Sequence, residues 1–305
     1  CLSVGHHRNE PREQIMSVGT RRVAVITGAS SGIGREAAKS LASQGWRIIA
    51  TGRDPVRSTA AEAEIRSASS TGRVDMLRAD LSLLADVVRV AGQIAALTDR
   101  VDVLINNAGG MSKARVVTAE GLEENFAGNH LGPFLLTKKL LPLLHRAAAD
   151  SPRGSVRIIN TSSDAGEMIK DMPWDDLQLL AGDYNAGLAY CRSKLANVLF
   201  ARGLAGRLAG DGIVAHAVHP GVVASNFVNS ANEQTQAYIR TLNALTPAQG
   251  ADTLIWLATA EEAGHGNGGY FYMRKPKAPN PVVEDAAAVE RLWVESERLI
   301  ASSGF

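Results

Sequence analysis

One stretch constrains this chain more than any other. Thr27-Gly28-Ala29-Ser30-Ser31-Gly32-Ile33-Gly34 lies between the apolar run Val23–Ile26 and the helical pattern Arg35–Leu41. A strand that turns through glycines into a helix N-terminus makes a phosphate cradle. Glycine tolerates the positive φ angles of the turn and lacks the Cβ that would hold a pyrophosphate away. Unpaired N–H groups and the positive end of the helix dipole then face the anion, so Gly28, Ser30, Ser31, Gly32, Ile33 and Gly34 are candidate dinucleotide contacts.

The rest of the chain repeats this alternation. Arg47–Thr51, Val74–Arg78, Val101–Ile105, Val156–Asn160 and Ile213–Val218 read as short buried strands, with Gly269–Tyr272 as a last one. Helical patterns occupy Pro55–Ala68, Leu81–Leu97, about Thr118 to Leu144, Tyr190–Leu208 and Asp285–Ile300. Alternating βα units predict an α/β fold: one doubly wound, Rossmann-type parallel sheet of about seven strands, with helices on both faces. Its ligand crevice lies at the carboxyl ends of the strands.

With 305 residues and 45% hydrophobic content, the chain can bury a large core. A net charge of +1 gives no reason to expect nucleic acid or a membrane surface, and no apolar run reaches the length of a membrane span. Two cysteines, Cys1 and Cys191, fit a reducing cytoplasm. The polar residues 1–15 read as a tail that is no signal peptide, so residues 1–20 are expected to precede a single domain over 21–305. His6 and His7 belong to that tail.

The second strand ends Ala50-Thr51-Gly52-Arg53-Asp54. An acidic residue there would bond an adenosine 2′-hydroxyl and repel a 2′-phosphate, but Gly52 takes its place and Arg53 follows. A guanidinium clamps a phosphate through paired charge-assisted hydrogen bonds, so NADP(H) is expected over NAD(H), with Arg35 as a second cation. The bland reading makes Arg53 a solvated turn residue and Asp54 a helix cap.

Tyr190-Cys-Arg-Ser-Lys194 sets a phenol and an ammonium on one helical face. A phenol titrates near ~10, and a neighbouring ammonium favours its ionised form, moving it toward acid–base work at neutral pH. Ser162 and Ser163 follow the fifth strand, where a hydroxyl could hold a carbonyl or merely cap a loop. Asn129 stands polar among apolar neighbours, and His219-Pro220-Gly221 makes a rigid turn.

In order, the glycine loop, Asn106-Asn107-Ala108-Gly109, Ser163, Tyr190, Lys194 and Pro220-Gly221 resemble the short-chain dehydrogenase/reductase family, in its single-domain branch. NHLGPFLLT (129–137), YNAGLAYCRSKLANVLF (184–200) and VHPGVVASNF (218–227) are similar to its retinol dehydrogenase-like group. The resemblance implies that Ser163 is the catalytic serine, Tyr190 the general acid/base, and Lys194 the ribose ligand that tunes it. It makes Asn129 the anchor of a proton-relay water. Asp80 and Leu81 would lie at the adenine, with Asn107, Ala108 and Gly109 along the adenosine ribose. Pro220, Gly221, Val223 and Ser225 would line the nicotinamide end. The helices carrying Asn129 and Tyr190 would form a homodimer or homotetramer interface.

Ser163 and Tyr190 stand 27 residues apart, and the insert Asp164–Asp183 is expected to wall the substrate pocket with Met168, Met172, Pro173 and Trp174. Val222, Phe227 and the segment through Tyr238 would add to it. The hydrophobic N-terminal anchor of many membrane-bound relatives is missing here, which favours a soluble enzyme. The chain therefore reads as an NADP(H)-dependent reductase or dehydrogenase of a hydrophobic carbonyl or alcohol. Alternatives are a non-catalytic dinucleotide-binding regulator and, with only about eighty residues after Gly221 for a substrate domain, a sugar-nucleotide epimerase or dehydratase.

Overall fold

In strand β1 (Val23–Ile26), Val23 and Val25 face one core while Ala24 and Ile26 face another. A strand covered on both sides has no polar face, which is why these segments read as unbroken apolar runs. The computed structural model describes residues 22–224, 236–237, 241 and 243–305. The expected tail, Ser225, Phe227 and Tyr238 lie outside them.

The other strands are β2 (Arg47–Gly52), β3 (Val74–Arg78), β4 (Val103–Asn106), β5 (Val156–Thr161), β6 (Ile213–Val218), β7 (Tyr270–Tyr272) and β8 (Lys275–Pro276). They form one sheet in the order β3-β2-β1-β4-β5-β6-β7-β8. The first seven run parallel. The reversal of direction from β1 places a crevice between β1 and β4, as a doubly wound sheet requires. The eighth strand, which the sequence reading does not contain, pairs antiparallel with β7. Met273 and Arg274 turn that hairpin with φ of 49° and 60°, left-handed values at two residues that carry side chains.

Helices α1 (Gly32–Ser43) and α2 (Pro55–Ala68) cover one face together with α7 (Pro247–Thr259). The sequence reading passes over α7, although Thr246 and Gln249 form a capping box before its apolar residues. The opposite face carries α3 (Leu84–Leu97), α5 (Gly132–Ala149) and α6 (Ala186–Arg207). Lying over α5 and α6 is α8 (Ala286–Ser302), whose Trp293 ring centroid is 4.8 Å from that of Phe134 and 5.9 Å from that of Phe200. The Ser296 hydroxyl meets His130 Nε2 at 2.8 Å in the same layer. Thus α8 covers part of the surface on which the resemblance puts a subunit interface.

The long helix expected from Thr118 starts later. Glu123 caps it by accepting from the N–H groups of Asn125 and Phe126, and Glu123 itself bridges back to Val117. The helix runs as α4 (Glu124–Phe126), a π-helical turn (Ala127–Leu131) and then α5. Pro133 has no N–H to give to the carbonyl four residues back, and Gly132 instead donates five residues back to Ala127. Asn129 rides on that widened turn. Pro142 stays inside α5 without ending it. Likewise α6 begins ahead of Tyr190, because the Asn185 side chain caps it on Leu188 N–H at 2.9 Å.

Candidate active site

Gly28 and Gly32 take φ of 67° and 58° after β1. A Cβ on Gly28 would come within 2.7 Å of the Ala108 Cα, and one on Gly34 within 2.5 Å of the Gly28 carbonyl oxygen. Glycine is therefore demanded by close backbone approach as well as by the turn. Ser31 stands at the N-cap of α1 with no side-chain cap bond, and no acidic residue occupies the first turn. Backbone donors without a built-in acceptor, at a positive dipole end, fit a pyrophosphate.

Asn107 supports this loop from β4. Its amide donates to the carbonyls of Thr27 at 3.0 Å and Gly28 at 3.4 Å, while the N–H groups of Asn107 and Ala108 both reach Thr27 Oγ1 at 3.0 Å. The expected ribose neighbour thus spends its side chain holding the loop. Ile33 and Val223 meet at α7, where a Cβ on Gly250 would lie 3.2 Å from the first and 2.5 Å from the second.

At the end of β2 the side chain of Arg53 is 65% exposed, 3.6 Å from Asp80 and 4.0 Å from Glu124. Both separations exceed a good hydrogen bond, so the guanidinium keeps donors to offer. Asp80 also does the bland task, since its Oδ1 accepts from Ser82 N–H at 3.1 Å and Ser82 Oγ at 2.7 Å. Leu81 is buried, and its carbonyl lies where a Cβ on Gly132 would go. Arg35, the second cation expected there, is paired in this structure. It pairs with Glu64 at 3.0 Å and Glu36 at 3.4 Å, two carboxylates on α1 and α2 that already take up its charge. Glu124, missed from sequence, enters this corner through the fold alone.

The catalytic candidates meet where β5 ends. Ser162 is buried and donates to the Lys194 carbonyl at 2.6 Å, a structural bond that leaves Ser163 as the half-exposed serine. Ser163 Oγ lies within hydrogen-bond reach of the Tyr190 phenol, accepts from Ala165 N–H at 3.2 Å and lies 3.2 Å from Asp164 Oδ1, so its one proton serves either the phenol or the carboxylate. Lys194 Nζ sits 5.5 Å from the Tyr190 ring centroid and donates to the Thr161 carbonyl at 3.3 Å. A Cβ on Gly109 would approach Lys194 Nζ to 3.1 Å and Asn129 Oδ1 to 2.8 Å. Lysine, Gly109, Ala108 and Gly28 are thus contiguous, so the Tyr190–Lys194 pair opens on the crevice of the glycine loop.

Asn129 accepts from Gly110 N–H at 2.8 Å and donates to the Gly110 carbonyl and to Ser193 Oγ, each at 2.9 Å. It clamps the loop after β4 to α6. Ser193, which the sequence reading does not single out, completes the clamp and also donates to the Tyr190 carbonyl at 2.8 Å.

Electrostatics correct one expectation. Burial pushes the Tyr190 phenol well above its ordinary range; the Ser163 hydrogen bond works against that, while Cys191 and Asp164 add to it. Lys194 is itself brought down to about 8 by burial, which weakens the lowering effect expected of it.

Beyond Gly221, with φ of 87°, Val222 and Ala224 pair with Leu245. Of the expected pocket wall, Met172 is buried and Met168 is 77% exposed after the turn that begins at Ser163. Trp174 instead faces α8, with the Arg291 guanidinium 4.9 Å over its ring. Among the described residues no His, Cys, Asp or Glu cluster could hold a metal, and no helix is long and apolar enough to cross a membrane.

The sequence pattern of the short chain dehydrogenases matches residues 22–236. Human retinol dehydrogenase 13 (Homo sapiens) is 38% identical over 286 residues, 92% of this chain and 84% of the relative. Human retinol dehydrogenase 12 is 39% identical over 280 residues, covering 92% and 86%. Among solved structures, an uncharacterised protein from Mycobacterium Paratuberculosis superposes with a TM-score of 0.72 at 31% identity, covering 92% of this chain and 93% of that one. The Pseudomonas aeruginosa RhlG/NADP active-site complex gives a TM-score of 0.66 at 28% identity, covering 83% and 94%.

Proposed function

The chain belongs to the short chain dehydrogenase family, and on that premise we propose that it is an NADP(H)-dependent enzyme interconverting a carbonyl and an alcohol on a hydrophobic small molecule. Membership makes it an oxidoreductase similar to the retinol dehydrogenases, of a family that binds NAD(P)(H). The observation that carries the finer reading is the meeting of Ser163, Tyr190 and Lys194 beside Gly109.

The glycine loop of Gly28, Gly32 and Gly34 would hold a reduced dinucleotide, which when bound would supply the hydride for the carbonyl carbon. Ser163 orients the carbonyl oxygen, and Tyr190 gives it the proton that completes the alcohol. Lys194, near the same crevice wall, holds positive charge there, which favours the tyrosinate left behind. In the oxidative direction the same phenolate takes the proton back. Asn129 fixes the backbone at Gly110, next to the Gly109 that Lys194 Nζ approaches.

NADP(H) is favoured by Arg53, whose donors are not committed, and by Gly52, where a Cβ would lie 2.8 Å from Ser30 Cβ and leave no room for an acid. A 2′-phosphate would take the guanidinium from two carboxylates that it does not firmly bond. The apolar substrate is suggested by the exposed Met168, five residues past Ser163, and by similarity to the retinol dehydrogenases. A cytoplasmic location is part of the proposal. A homodimer or homotetramer would use surface beyond that covered by α8.

NADPH oxidation with a panel of aldehydes and ketones tests the reaction. Tyr190→Phe is expected to lower kcat by ~1,000-fold or more while dinucleotide affinity stays within about threefold. Undiminished turnover in that variant would reject the assignment.

A further inference from the structure

The residue after the candidate catalytic serine is an aspartate, and its backbone is tied to a buried histidine. Asp164 N–H donates to His219 Nδ1 at 3.3 Å, so the neutral imidazole carries its proton on Nε2. That nitrogen faces Asp164 Oδ2 at 3.5 Å, and the other carboxylate oxygen takes the Ser163 hydroxyl at 3.2 Å. His219 is buried, its backbone N–H bonds the Phe271 carbonyl at 2.9 Å, and its ring packs 4.9 Å from that of Tyr272. A buried, doubly anchored imidazole therefore fixes the Asp164 backbone and stands 3.5 Å from its 54% exposed carboxylate, which lies one hydrogen bond from Ser163.

We propose that Asp164, held in place by His219, is a positioning residue that keeps Tyr190 in its proton-donating form to higher pH. This rests on the reading of Tyr190 as the general acid/base. A carboxylate next to the Ser163–Tyr190 bond disfavours the tyrosinate by like-charge repulsion. Other groups face the same pair. Tyr190 has Lys194 and Cys191 on its own helix and Tyr270 from β7. His219 has Glu167 and Lys277 besides Asp164, and those two pair with each other at 2.8 Å. Asp164 alone among these acids hydrogen-bonds the serine.

Asp164→Asn keeps an acceptor for Ser163 and removes only the charge. Reduction needs the phenol and oxidation the phenolate. The alkaline limb of reduction and the acid limb of oxidation should therefore both move to lower pH, by about half a unit to one unit. His219→Phe keeps a ring against Tyr272 and frees the carboxylate into solvent. It should move both limbs the same way by less. A second readout is independent of turnover: ultraviolet difference titration of tyrosinate in the NADP+-bound protein, with Tyr190→Phe subtracted. Its midpoint should fall in Asp164→Asn by the same amount. Limbs and midpoint that stay at their wild-type pH would overturn the proposal. A midpoint that falls in a protein that reduces no carbonyl would keep it and reject the proposed reaction instead.

Discussion

Around β1 and α1 the site is built from what side chains leave out, whereas around β5 and α6 it is built from what they bring in. Gly28, Gly34 and Gly52 are defined by the atoms a Cβ would strike, at 2.7, 2.5 and 2.3 Å. Ser163, Tyr190, Lys194 and Asn129 are defined by bonds to residues far along the chain, such as the Asn129 contacts with Gly110 and Ser193. A void is announced locally by its glycine, although the atoms that bound it, such as Ala108 against Gly28, come from elsewhere in the chain. A polar network needs the whole fold, because each member is satisfied by a different element.

Filling the void is the strongest challenge to this contrast. Gly34→Ala would force Gly28 or Asn107 outward from 2.5 Å, and overpacking of that kind costs about 1–3 kcal/mol. Dinucleotide affinity measured by fluorescence quenching should fall by ~100-fold or more, equivalent to roughly 2.7 kcal/mol. A variant that binds normally would show that the loop tolerates a side chain. Arg53→Ala sharpens the comparison within the same half. It should raise KM for NADPH about tenfold, the loss of one phosphate contact, and leave KM for NADH unchanged. Equal effects on both cofactors would return Arg53 to the solvated turn.

The smallest effect concerns what the catalytic half costs. Burial lowers Lys194 from 10.5 to about 8, so between these values the unfolded chain holds a proton that the folded chain has released. Stability therefore climbs with pH through that window, and the contribution is lost as pH falls through about 8. Lys194→Met should flatten the window and raise the thermal midpoint at neutral pH by roughly 2–4 °C, while removing activity. Calorimetry across the window would expose a midpoint that does not rise.

The same contrast explains what could be read beforehand. The parallel doubly wound sheet, its crevice and the glycine cradle follow from periodicity and turn chemistry, and β1, β3 and β6 fall where the apolar runs place them. The Tyr190–Lys194 spacing was legible because four residues make one helical turn. The capture of Arg35 by Glu64 was not, since it joins two helices whose packing no local pattern reports. Nor was the role of Asp164, which becomes visible only when His219, 55 residues later, closes on it. The π-turn had a cue in Pro133, but its consequence for Asn129 required Gly110 and Ser193 in place.

Gly52 finally bears on the order in which such a site can be altered. Any side chain introduced at that position would bring its Cβ to 2.3 Å from Ser58 Oγ and 2.8 Å from Ser30 Cβ. Ser58 on α2 and Ser30 on loop 27–34 would both have to give way before an acid there could reach a ribose.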